Sequence, residues 1–226
     1  LKNLRVAIDG PASAGKSTIA KILAKKLHLI YCDTGAMYRS ATYGIQEAGI
    51  AAADEEKVMD FLKSHPITFQ LIDGVQHVFL GEKDVTAKIR SQAVSAEVSA
   101  VSALPRVREL LVAWQQRIAQ HGNIVMDGRD IGTVVLPDAE VKIYLVASVE
   151  ERAERRYKEM IDQGHSVDFT AIKKGIEDRD HYDSTRKTSP LKQAHDAVLV
   201  DTTGLSIECV VNEIIKIIQQ KAGFFE

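Results

Sequence analysis

The chain is poor in cysteine: its 226 residues carry two, Cys32 and Cys209. They stand far apart, with no partners at metal-ligand spacing. That excludes a disulfide framework and a cysteine zinc site, and points to two reduced thiols in a cytoplasmic protein. Long apolar runs are missing too. None approaches the roughly 20 residues of a membrane span, and no charged-then-apolar signal segment opens the sequence. The first residue is Leu1 rather than Met, consistent with a processed or trimmed start. Excess charge is also missing, since 29 basic and 31 acidic residues leave a net charge of −2. General affinity for nucleic acid or for an anionic membrane is therefore not expected. There is no internal repeat and no low-complexity tract. The length suits one α/β domain with an elaboration, or two small domains.

What is present is more telling. Gly10, Pro11, Ala12, Ser13, Ala14, Gly15, Lys16, Ser17 and Thr18 follow an apolar run and lead into a helical pattern. This is the G-x-x-x-x-G-K-[ST] phosphate loop in its confirming strand–loop–helix context. Glycines let the backbone curl so that several N–H groups face one phosphate, and the helix N-terminus adds partial positive charge. Lys16 can reach the β- and γ-phosphates as a point charge, and the Ser17 hydroxyl can ligate Mg²⁺. The chain binds a nucleoside triphosphate on this reading.

Periodicity alternates strands with helices, which predicts a parallel sheet. Strands are expected at 4–9, 29–32, 124–126, 141–146 and 197–200, the second of them buried. Helices are expected at 17–27, 36–47, 54–64, 149–163, 170–181 and 206–219, with Thr170 as the cap of the fifth. Residues 33–35 read as a turn, 164–169 as a polar loop and 182–193 as a mobile stretch. Between 67 and 80 the rhythm changes: two strand patterns flank Asp73-Gly74, a strong hairpin signal. A third short strand is expected at 81–86. Residues 91–121 read as helical, broken at Pro105. Ligands should lie where the strands end, which places Asp33-Thr34, Asp127–Asp130 and Asp201 on one rim.

Arginine clamps phosphate oxygens two at a time and stays charged at any working pH. Arg129 sits at the end of a buried strand between two aspartates, where a charge needs a functional reason. Arg152, Arg155 and Arg156 share a helix with Glu151, which leaves surface pairing and function both open. Arg179 and Arg186 flank the polar stretch, where a solvated loop is the plainer reading.

Several longer segments carry a resemblance. The phosphate loop beginning Ile8-Asp9-Gly10-Pro11, then Asp33-Thr34-Gly35-Ala36-Met37-Tyr38-Arg39, Pro105-Arg106-Val107-Arg108-Glu109 and Asp127-Gly128-Arg129-Asp130-Ile131-Gly132-Thr133 resemble the bacterial cytidylate kinases. So does Arg179-Asp180-His181-Tyr182-Asp183 with Arg186. The resemblance runs nearly end to end. It implies an α/β phosphate-loop NTPase fold of the nucleoside monophosphate kinase type. That fold is a five-stranded parallel sheet with helices on both faces, a small inserted antiparallel β subdomain, and a lid. On this basis residues 1–65 and 90–226 form the kinase core, 152–186 its lid and 66–89 the insert that binds the monophosphate.

The same resemblance implies transfer of a phosphoryl group from ATP to CMP or dCMP, with Mg²⁺, by a cytoplasmic monomer. It assigns catalysis to Lys16, Arg129, Arg155 and Arg156. ATP falls to the phosphate loop, Thr18 and the lid residues Arg152 and Arg156, and the metal to Ser17. The CMP phosphate falls to Thr34 (many relatives have Ser), Arg39, Arg129 and Arg186. Ser99, Arg108 and Asp130 read the cytosine, while Arg179 and Asp183 hold the sugar. A carboxylate at Asp130 suits an exocyclic amine donor and would be unpaired before uracil. The acceptor oxygen is already anionic, so none of the seven histidines needs a catalytic role. Ser13 stands where relatives often have Gly; a negative φ is expected there.

Two other readings remain. In a phosphate-loop kinase with a hydroxyl acceptor, Asp33 would act as base. In a nucleotide-switched GTPase or ATPase, Asp201-Thr202-Thr203-Gly204 would be the D-x-x-G switch, though it comes after the last strand and no N-K-x-D motif accompanies it.

Overall fold

The computed structural model describes residues 3–223, so Leu1 and the expected processed start lie outside them. The chain divides into two compact units, one formed by residues up to Cys32 together with those from Ile118 onward, the other by Asp33–Arg117.

The first unit opens with β1 (Arg5–Asp9), α1 (Lys16–Leu27) and β2 (Ile30–Asp33). After the second unit come β6 (Ile124–Gly128), a single π-helical turn (Ile131–Val135), β7 (Val141–Val146), α6 (Val149–Asp162), α7 (Phe169–Thr185), β8 (Val198–Asp201) and α8 (Ile207–Ala222). The strands form one sheet in the order β2-β6-β1-β7-β8. Val6 pairs with Val125 on one side and Val141 on the other, both in parallel. Chain order therefore reverses at β1, and the crevice at its carboxyl end is where such sheets bind ligands. Val6, Ile8, Val125, Ile143 and Leu145 pack with Ile19 and Leu23 of α1 and Val211 and Ile214 of α8. Full burial of such a side chain stabilises by about 1.5–3 kcal/mol, so this layer anchors the loop that leaves β1.

In the second unit lie α2 (Thr34–Glu47), α3 (Glu55–Ser64), β3 (Ile67–Ile72), β4 (Val75–Leu80), β5 (Lys83–Asp84), α4 (Gln92–Ala103) and α5, which begins at Pro105 and runs on to Ala119. β3, β4 and β5 form a separate antiparallel sheet, with the hairpin in the expected register. Asp73 and Gly74 both have positive φ, 51° and 77°, as a two-residue turn that follows the strand twist requires.

Several expectations are corrected. β2 is an edge strand shifted by one residue rather than a buried one, with Ile30 52% exposed. Residues 33–35 are not a turn: α2 starts at Thr34, and the Asp33 carboxylate caps it by accepting from the Ala36 N–H at 2.8 Å. The third strand of the insert shrinks to two residues because Asp84 turns back to accept from the Thr86 N–H and hydroxyl. The cap of α7 is Asp168 rather than Thr170, and the helix continues through Thr185. The stretch expected to be mobile is held: the Leu191 N–H donates to the Asp183 carbonyl at 2.7 Å, and Arg186 donates to the Ser189 carbonyl. The π-helical turn after β6 was not expected at all.

Candidate active site

The phosphate loop is shaped by backbone sterics. Gly10 has φ 153°, and a Cβ there would lie 2.0 Å from the Leu145 carbonyl oxygen, so no side chain fits. Gly15, with φ 90°, is the residue before α1. Ser13 also lies in the left-handed region, at φ 59°, contrary to the expected negative value. Turning successive N–H groups to one side needs alternating right- and left-handed residues. Ser13 takes a left-handed place at a cost of about 1–2 kcal/mol, partly matched by the chain entropy glycine would lose there. Ser13→Gly should accordingly stabilise the protein by about 0.5 kcal/mol. A lowered midpoint in denaturant would show instead that the serine side chain supports the loop.

Three cations grip the carbonyl oxygens of this loop. Lys16, buried, donates from Nζ to the Pro11 oxygen at 2.6 Å. Arg152 donates to the Ala12 oxygen at 3.1 Å and Arg155 reaches the Ala14 oxygen at 3.5 Å. Arg152 is 3% exposed, and its remaining donors meet the Ala147 carbonyl and the Asp180 carboxylate, the latter at 2.6 Å. Its place is thus beneath the loop, tying it to α7. Arg155 also donates to the Thr202 carbonyl and hydroxyl and pairs with Glu151. Arg156 pairs with Glu159 near the surface, and Thr18 is exposed on the first turn of α1.

At the carboxyl end of β6 the Asp127 carboxylate accepts from the Ser17 hydroxyl at 2.8 Å and from the Tyr31 hydroxyl at 2.8 Å. Among the described residues no group of three or more His, Cys, Asp or Glu is arranged to hold a metal ion. A hydroxyl and a carboxylate side by side do suit Mg²⁺, which takes one or two protein oxygens and shares the rest with phosphates and water. Sequence reasoning set Asp127 on the ligand rim but paired only Ser17 with a metal. The available signal was an aspartate ending the strand next to β1.

Beyond it, Asp183 is 3% exposed and ringed by guanidinium groups: Arg129 at 3.0 Å, Arg186 at 3.8 Å and Arg179 at 3.9 Å. Burial opposes its ionisation, but the Arg129 and Arg179 charges, the Arg129 hydrogen bond and the Arg186 charge prevail and hold the carboxyl below its ordinary value. Three guanidinium groups thus concentrate positive charge around one buried carboxylate. Lys16 feels it: burial first, then the Arg129 charge, hold the ammonium well below its ordinary pKa, with Asp127 pulling the other way and Arg179 adding to the depression. Lys16, Arg129 and Arg179 therefore share one field, which a polyanion would neutralise. Asp130, buried beside Arg129, precedes the π-helical turn.

The other expected residues belong to the second unit. Thr34 is buried at the start of α2, and Arg39 on the same helix donates to the Ser95 hydroxyl at 2.9 Å. Ser99 is half-buried on α4. Arg108, 2% exposed on α5, donates to the Ser102 carbonyl at 2.8 Å and lies 5.1 Å from the Tyr38 ring centroid. Asp33, the base of the hydroxyl-acceptor reading, has one oxygen on the Ala36 N–H and the other on Arg90 at 3.4 Å. Asp201 folds onto the Thr203 N–H and hydroxyl, a local turn.

The fold and site define a phosphate-loop kinase of the α/β class. Comparison with known proteins narrows this. The family model described as cytidylate kinase matches residues 6–220. A cytidylate kinase of Streptococcus pyogenes is 57% identical over 223 residues, covering 98% of this chain and 97% of its own. One of Streptococcus thermophilus is 54% identical over the same coverage. The crystal structure of an uncharacterized protein from Eubacterium ventriosum shares the fold, with TM-score 0.51 and 14% identity over 97% of this chain and 99% of its own. The chain belongs to the cytidylate kinase family, whose members are nucleoside monophosphate kinases. No helix among the described residues is long and apolar enough to cross a membrane.

Proposed function

We propose that the protein transfers the γ-phosphoryl group of ATP to CMP and dCMP, giving CDP or dCDP and ADP, as a cytoplasmic monomer serving pyrimidine nucleotide metabolism. One observation carries the reading: beyond the phosphate loop with its buried Lys16, a second group of guanidiniums, Arg129, Arg179 and Arg186, gathers around the Asp183 carboxylate. A site for one phosphate chain needs no second group of guanidiniums; two anionic substrates meeting end to end do. Membership of the family supplies the acceptor.

The loop N–H groups and Lys16 bind the β- and γ-phosphates of ATP, with Arg155 and Arg156 approaching from α6. Arg129 and Arg186 bind the acceptor phosphate. Its anionic oxygen attacks the γ-phosphorus as the bond to the β–γ bridging oxygen breaks. Charge moves onto the equatorial and bridging oxygens, where Lys16 and the guanidiniums stabilise it more in the transition state than before it. Ser17 and Asp127 would hold Mg²⁺, which would supply charge neutralisation to the triphosphate. Asp130 recognises cytosine, and Arg179 with Asp183 holds the sugar.

A coupled assay with ATP and each monophosphate tests this. Rapid diphosphate formation with CMP and dCMP but not UMP is expected, and GTP hydrolysis without an acceptor would refute it. Asp130→Asn should narrow the CMP-over-UMP ratio of kcat/KM at least tenfold, because a carboxylate acceptor for the exocyclic amine is lost. An unchanged ratio removes Asp130 from cytosine recognition.

A further inference from the structure

We infer that Asp9 is a positioning residue for acceptor recognition, holding from the end of β1 the turn that presents Arg129 and Asp130. The inference rests on the reading of Asp130 as the group that recognises cytosine.

Asp9 is the last residue of β1, in register with Gly128 of β6 and Tyr144 of β7, and is 3% exposed. Its two oxygens accept from the N–H groups of Ile131 and Gly132, each at 2.7 Å. Those are the two residues that follow Asp130. One carboxylate bridging two successive N–H groups fixes the height of the turn above the sheet as well as the rotation of its peptide planes.

The turn needs such a partner. The Asp130 carbonyl accepts from both the Val134 and Val135 N–H groups, and the Leu136 N–H closes onto the Ile131 carbonyl. One π-helical turn leaves its leading N–H groups without intrahelical acceptors, and a buried N–H without an acceptor is costly. Asp9 supplies both acceptors. The approach is close at 132, where a Cβ would lie 3.1 Å from the Lys142 Cδ and 3.3 Å from an Asp9 oxygen, so any side chain there would press on both. Burial pushes the Asp9 carboxyl up to about 7, against the pull of the Gly132 and Ile131 N–H groups, while Asp130 raises it and Lys16 lowers it. Asp9 thus lies within electrostatic reach of both the donor-side lysine and the reading carboxylate. It precedes Gly10 directly, so the strand that delivers the phosphate loop also sets the acceptor turn.

Asp9→Asn keeps the shape but turns an amide N–H₂ toward one of the two N–H groups. We expect KM for CMP to rise at least tenfold and the CMP-over-UMP ratio of kcat/KM to narrow at least fivefold, with KM for ATP changed less than threefold. Gly132→Ala, whose methyl would press against Lys142 and the Asp9 carboxylate, should narrow the ratio too and serves if Asp9→Asn does not fold. Asp130→Asn is measured alongside. If Asp130→Asn narrows the ratio while both other variants keep it, the positioning role is overturned. Equal rises in KM for ATP and CMP with an unchanged ratio overturn it as well, since that is what a merely structural carboxylate would give. If Asp130→Asn itself leaves the ratio unchanged, the cytosine reading fails and the role of Asp9 falls with it.

Discussion

Lys16→Ala is expected to lower kcat with CMP at least ~10²-fold, the usual effect of removing one preorganised charge from a developing anion. The ammonium is buried and already aimed by its bond to the Pro11 carbonyl, so it meets the phosphate without reorganising. Because charge accumulates on the phosphate oxygens during transfer, the loss should fall on kcat more than on KM for ATP. Single-turnover measurement with saturating ATP and CMP separates the two. Wild-type turnover would remove Lys16 from the chemistry, and with it the premise that the loop serves catalysis.

Asp183→Ala is expected to destabilise the protein by about 3 kcal/mol, because it removes the buried carboxylate on which Arg129, Arg179 and Arg186 converge. The deficit should shrink when inorganic phosphate is added, since an anion can take the vacated place. The sign with pH follows from the depressed carboxyl. Its contribution is complete above the ordinary aspartate value of 3.8 and is lost as pH falls through the lower folded-state value. Urea unfolding of both proteins at neutral pH and near pH 3 checks this. A gap that stays constant or widens on acidification would contradict the ion-pair account.

Much of the fold was legible because its signals are local. Asp73-Gly74 demanded positive φ at two consecutive residues, and both adopt it. Pro105 can start a helix but not continue one, and α4 stops at Ala103 while α5 starts at Pro105. What escaped depends on long-range partners. Arg179 and Arg186 flanking a polar stretch read as solvated loop until the buried Asp183 carboxylate, which also pairs with Arg129 just beyond β6, draws them in. Residues 131–135 form no recognisable period, because their conformation is set by a carboxylate more than a hundred positions earlier. Of the site, the phosphate loop stood out by spacing alone, and Arg129 by its place between two aspartates at the end of a strand. The Ser17–Asp127 pair needed the strand order, which no stretch of sequence states. Arg152 belongs to the same group: a charged face on a helix gave no sign that its guanidinium would be sealed under the loop.

Lys16, Arg152 and Arg155 turn the carbonyl oxygens of residues 11, 12 and 14 onto the protein's own cations. The entropy of ordering this segment is therefore lost once, when the chain folds, and not again at every catalytic cycle. An incoming triphosphate finds its cradle already set, so capture is governed by diffusion and charge rather than by loop rearrangement.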